Sequence, residues 1–250
     1  MSGELLLLVV GAAVAGLVQG VAGFAFSMVA MSFWVWAIEP RVAAAMAVFG
    51  SLAGQVLAAL TVRRPLVAST LLPFLAGGAI GIPLGVLALP HFDAALFKLV
   101  IGAILVVCCP AMLLAGLVPR ITAGGRIADA LAGALGGVMG GLGGFTGVAP
   151  SLWCTLRGYD KDLQRSVIQN FNLAMLSMTM ASYVLAGAIT PDMLPKFALV
   201  LAALVVPSFL GARIYLGISA LGFRRVVLGV LFVAGMLMIA ASLPAVIARL

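Results

Sequence analysis

Two glycine clusters hold most of the chemistry that this chain can offer. The first reads Gly16-x-x-x-Gly20-x-x-Gly23-Phe24 and the second Gly137-x-x-x-Gly141-x-x-Gly144-Phe145. Glycine admits backbone conformations that stop a helix, and it has no Cβ to hold a ligand away from the main chain. A helix that restarts after such a stop begins with free N–H groups and the positive end of its dipole, which together attract an anion. After the second cluster come Thr146, Gly147, Val148, Ala149, Pro150 and Ser151. Proline suits a first helical turn, so the order predicts a helix start near Ala149. The matching stretch of the first cluster is Phe24-Ala25-Phe26-Ser27. The candidate anion ligands are therefore Gly20, Gly23 and Ser27 on one side and Gly141, Gly144, Thr146 and Ser151 on the other. The plainer reading is that glycines at this spacing let helices pack closely.

A second signal lies downstream. Arg165, Gln169, Asn172, Thr179 and Tyr183 fall on one helical face. In an apolar helix such a stripe faces protein or water, either as interhelical hydrogen bonding or as substrate contact, with Gln169 and Asn172 the candidates. The counterpart face of the first half carries only Ser51 and Gln55. Arg213 follows Gly211 near the end of an apolar run. It either snorkels to the interface or serves as a cationic partner for the anion. His91, after Pro90, reads as a loop residue. Every Asp and Glu lies near the end of an apolar run, so no carboxylate explains coupling to an ion. The three cysteines, Cys108, Cys109 and Cys154, form no metal or disulfide pattern. There is no HExxH, GxSxG or Walker A sequence, which argues against an enzyme and against ATP-driven transport by this chain alone. No cofactor is expected.

The elements that must position these residues are membrane helices. Of 250 residues, 64% are hydrophobic and 8% charged, with a mean hydropathy of +1.29. Soluble domains carry about 25% charged residues. The net charge of +7 is scattered through short loops rather than gathered in a patch, which speaks against nucleic acid. Apolar runs cover about 4–37, 41–61, 66–89, 94–118, 127–156, 163–188, 193–217 and 221–248. The first and fifth exceed one span of roughly 20 residues and hold the glycine clusters in their middles. The clusters lie 121 residues apart, and the runs after each follow in the same order, with Gly81 to Gly85 set more weakly against Pro207 to Gly211. The chain thus reads as a single membrane domain, with one repeat over about 4–118 and a second over about 127–248.

Charge orients the repeats. If every run crosses once, the Lys and Arg residues divide almost evenly. If each glycine-broken run enters and returns on one side, Arg63, Arg64, Arg120, Arg126, Arg157, Lys161, Arg165, Arg213, Arg224 and Arg225 fall together, leaving Arg41, Lys98, Lys196 and Arg249 opposite. Ten against four is a positive-inside bias. The expected fold is an all-α integral membrane protein of two inverted repeats. Each repeat has a glycine-broken re-entrant or half-helix pair plus three transmembrane helices, and both termini are periplasmic. Secondary transporters are built on this plan.

The paired glycine motifs, the length and the duplicated layout resemble the TauE/SafE sulfite exporter family, also called the toluene sulfonate uptake permease family. The resemblance covers nearly the whole chain and is strongest from the glycine motifs through Asn172. Phe24-Ala25-Phe26 departs from the glycine-rich pattern expected after the first motif. The resemblance implies a secondary transporter in the bacterial inner membrane whose substrate is sulfite, a sulfonate or a related organosulfur oxyanion. An anion channel of similar build and a non-transporting membrane scaffold are the alternatives. The expected partners are the small anion, the lipid bilayer and a coupling ion, proton or sodium. Assembly into a homo-oligomer is left open.

Overall fold

The computed structural model describes residues 3–62, 64–214 and 220–248. Arg63 and Arg249, both used in the charge count, lie outside the described residues. Ten α-helices run through the described residues. The first half holds α1 (Gly3–Ala22), α2 (Phe26–Trp34), α3 (Pro40–Thr61), α4 (Ala68–Ala88) and α5 (Ala94–Leu114). The second holds α6 (Gly125–Gly143), α7 (Val148–Leu156), α8 (Lys161–Leu185), α9 (Leu194–Ile214) and α10 (Ala220–Ile247). Starts follow local chemistry. Pro40 opens α3, where a missing N–H costs nothing. The Asp93 carboxylate caps α5 by accepting from the Leu96 amide at 2.7 Å. Asp160 caps α8 by accepting from the amides of Asp162 and Leu163 at 3.0 and 2.9 Å.

Among the described residues six helices, α1, α3, α4, α5, α9 and α10, are long and apolar enough to cross a membrane. The helices α6 and α8 have the length, 19 and 25 residues, but less hydropathy. In α8 the polar side is turned into protein, with Ser166, Asn172, Thr179 and Tyr183 all buried. The helices on either side of each glycine break are unequal in length. Each glycine break joins a long arm, of 20 residues in α1 and 19 in α6, to a short arm of nine in α2 and α7. The long arms bury glycines and alanines against other helices.

Packing crosses between the halves. The helix α1 lies on α9, α6 on α4, α3 on α8 and α5 on α10. Register gives the directions. A Cβ on Gly77, Gly81 or Gly85 would run into the backbone near Ala130, Ala134 and Val138 in turn, so α4 and α6 are parallel. Gly16 abuts Leu204 and Ser208, and Gly20 abuts Ser208 to Ala212, so α1 and α9 are parallel too. By contrast Gly102 meets Gly235 to Ile239, while Arg224 donates to the Met112 carbonyl at 3.3 Å, so α5 and α10 are antiparallel. The helices α3 and α8 are antiparallel as well: Gln169 Nε2 reaches the Val62 carbonyl at 3.0 Å, and Arg41 and Tyr183 line one small cavity at the other end.

These registers assign several glycines. Gly85 lies against Gly141 and Gly211 against Gly20. Gly20 and Gly141, candidate anion ligands by sequence, sit in these backbone-to-backbone crossings. There a side chain of any size would push two helices apart.

Candidate functional site

The two breaks share one backbone device. Gly23 has φ +85° and Gly144 φ +80°, a left-handed conformation that ends a helix and that L side chains rarely adopt. Their amides donate back to Gln19 O and Gly140 O, each at 2.7 Å. The short arm then starts at Phe26 in one half and at Val148 in the other, one residue before the predicted Ala149. The residues ahead of these starts, Ala25 and Gly147, give no side-chain cap. The first bonds of full helical span are Val29 N–H to Ala25 O at 3.2 Å and Ser151 N–H to Gly147 O at 3.0 Å. In α7 the Val148 amide bonds three residues back to Phe145 O at 3.3 Å and Pro150 has no N–H, while the amides of Ala149 and of Phe26, Ser27 and Met28 have no partner four residues back, the usual state of a helix start.

The two tips touch. A Cβ on Gly144 would lie 2.6 Å from Ser27 Oγ and 3.2 Å from Val48 Cα. One on Gly147 would lie 3.1 Å from Phe24 Cβ and 2.7 and 2.8 Å from the Asn172 amide nitrogen and oxygen. Gly143 approaches Met31 in the same way. Neutral polar groups close the junction. Ser27 Oγ and Ser51 Oγ are 2.6 Å apart, and Ser27 Oγ also donates to Ala47 O at 3.4 Å. Thr146 Oγ1 donates to Asn172 Oδ1 at 2.9 Å. Ser27, Thr146 and Asn172 are each 1% exposed. Gln55 Nε2 donates to the Gly23 carbonyl at 2.5 Å, and Gln19 Nε2 to the Ser51 carbonyl at 3.2 Å. Gln19 Oε1 is buried and, among the described residues, accepts no hydrogen bond. No charged side chain takes part in these contacts. The junction offers hydroxyls, amides and helix-start N–H groups in a buried setting, a chemistry that suits an anion stripped of part of its water.

Of the candidates read from sequence, the fold brings together Gly144, Ser27, Thr146 and Asn172, with Gly23 on the first tip and buried Ser151 in the first turn of α7. Gly23 itself is exposed, with nothing within 4 Å of a built Cβ. Gln169 lies elsewhere, bonded to the end of α3, about one turn from Asn172 toward the loop side. Farther along the stripe, Thr179 Oγ1 donates to its own helix at Met175 O and Tyr183 OH donates to Gly141 O at 2.7 Å. Both serve helix packing. Arg213 is exposed in the last turn of α9 and is absent from the tip contacts.

Sequence reasoning passed over Gln19, Ser51, Gln55 and Gly147 as site residues. Gln19 was visible as an amide inside an apolar run, and Gly147 as a further glycine after the second motif. It also placed Asp129 at a run end. The fold buries it: Trp153 Nε1 donates to Asp129 Oδ1 at 2.7 Å and Arg157 Nε lies 3.9 Å away. Arg157 donates to Thr122 O at 3.3 Å and Ala123 O at 3.5 Å, so this cluster ties α6, the end of α7 and the linker between the halves. In the adjoining loop, burial and then the nearby Asp129 carboxylate push the Tyr159 hydroxyl above its ordinary range.

A family model described as "Sulfite exporter TauE/SafE" matches residues 7–238. No curated protein and no solved structure matches the chain.

Proposed function

The chain belongs to the sulfite exporter TauE/SafE family, a family of membrane transporters of sulfur compounds, and from that premise we infer that it is a secondary transporter whose anion binds where the two glycine tips meet. The observation that carries this reading is the contact of Gly144 with Ser27 and of Gly147 with Phe24 and Asn172. It sets two uncapped helix starts, one from each half, beside a shared set of neutral donors. The substrate on this reading is sulfite, a sulfonate or a related oxyanion. Its charge is met by many partial positive charges rather than by one cation, which lets it leave as readily as it enters. The halves are inverted repeats. The antiparallel pairing of α5 with α10 and of α3 with α8, together with parallel α1–α9 and α4–α6, supports this, because an axis in the membrane plane relates such pairs. The arms of each break return to the side they entered from, both termini are periplasmic, and the membrane is the bacterial inner membrane.

Closely packed tips favour a carrier over an open pore. Purified protein in liposomes, given an inward proton or sodium gradient, is expected to move labelled sulfite or a sulfonate such as taurine or sulfoacetate with saturable kinetics. A linear, unsaturable flux would make it a channel. The absence of flux for each of these anions, from folded protein and under both gradients, would refute transport.

A further inference from the structure

The glycines of α4 and α6 bring the two helices so close that a groove stays open along one side of their crossing. It is an open groove of about 500 Å³, lined by Gly77 and Ile80 of α4 and by Arg126, Ala130, Leu131 and Ala134 of α6, among others. Arg126, Ala130 and Ala134 recur every fourth residue and form one row, roughly 12 Å long at 1.5 Å per residue. The walls are almost wholly apolar, and Ile80 and Leu131 at the rim are exposed. Arg126 is the one charged residue in this lining. It is the second residue of α6 and stands where the helix leaves the mostly exposed linker 119–124. It makes no ion pair among the described residues. The positive end of the α6 dipole lies at the same point, so the helix itself does not offset the charge.

We propose that this groove holds one tail of an anionic phospholipid, with the headgroup phosphate on Arg126. In a membrane protein the open face of this crossing meets lipid, so an acyl chain is the available apolar occupant. The guanidinium fork matches phosphate oxygens and binds them by charge-assisted hydrogen bonds. The apolar row and the terminal cation thus match the two parts of one lipid molecule.

Native mass spectrometry tests the assignment, with detergent-purified protein supplied with equal phosphatidylglycerol and phosphatidylcholine. The wild type is expected to retain phosphatidylglycerol in preference. Arg126→Glu should lower the bound ratio about fivefold, the scale of one basic side chain at an anionic surface. Lys161→Glu, an equal charge change outside the groove, should leave the ratio unchanged. Ala130→Phe should expel both lipids. Ala134→Leu, a smaller filling deeper in the row, reads the same loss if the phenylalanine variant does not fold. An unchanged ratio in Arg126→Glu, or an equal fall in Lys161→Glu, would overturn the proposal. So would a wild-type dimer that disappears on filling the groove while no lipid is bound, which would make a second copy of the chain the occupant.

Discussion

Replacing Gly144 and Gly23 by alanine, each in turn, separates the contact between the tips from the strain of the break. Both glycines have nearly the same φ, +80° and +85°. Either alanine therefore meets the left-handed backbone cost of about 1–2 kcal/mol. Their surroundings differ. A Cβ on Gly144 falls 2.6 Å from Ser27 Oγ and 3.2 Å from Val48 Cα, whereas one on Gly23 meets nothing within 4 Å. The Val48 contact is to backbone, so relief requires α3 or the whole tip to move, and overpacking of that kind costs a further 1–3 kcal/mol, roughly. Gly144→Ala should thus be less stable than Gly23→Ala by about that further amount, a factor on the order of 5–150 in the unfolding equilibrium. Urea or SDS titration of the purified protein, followed by tryptophan fluorescence, measures the difference. Transport in liposomes should fall much further in Gly144→Ala, since the wedge opens between the two helix starts. Equal destabilisation of the two variants, with transport intact in both, would refute the contact and with it the proposed binding place.

Three further outcomes test other parts of the reading. Asn172→Leu should cost about 1–3 kcal/mol by leaving the Thr146 hydroxyl buried without an acceptor and should strongly reduce transport. Gln169→Leu, which loses a bond at the exposed end of α3, should cost about 1 kcal/mol and spare transport, and the paired flux assay decides between them. Asp129→Leu should destabilise the protein by about 1–3 kcal/mol because it strips the acceptor from Trp153. Asp129→Asn, which keeps an acceptor, should cost less, and melting followed by size-exclusion profile would rank the two. A single cysteine at Ala123, in a background without Cys108, Cys109 and Cys154, should react only with membrane-permeant reagent in intact cells. Ready labelling from the periplasm would reverse the orientation of the halves.

Local chemistry made the breaks legible. Glycine followed by phenylalanine marked both stops, and Pro150 placed the second restart to within one residue, because φ and the proline rule act over a few neighbours. What the glycines face was not legible. Gly20 and Gly144 look alike in sequence, yet one lies in a crossing with α9 and the other at the junction of the tips, and only the partner helix decides. Gln169 and Asn172 share a helical stripe, but three residues carry the chain one turn along the axis, from the centre of α8 toward its surface end. Asp129 looked like an interfacial carboxylate because it stands near the start of its run. It is buried because the end of α7 folds back over it and supplies Trp153 and Arg157. Each of these outcomes depends on contacts between segments far apart in the chain, which periodicity cannot report.

The crossed glycine contacts also set an order of assembly. Gly77 of α4 finds its partner Ala130 only 53 residues later, but Gly16 and Gly20 of α1 must wait for Leu204 to Ala212 of α9, some 190 residues on. At ribosomal speed that interval is on the order of 10–40 s. During it α1 lacks the partner that covers its main chain at Gly16 and Gly20. A chain stalled before residue 204 therefore leaves the glycine face of α1 uncovered.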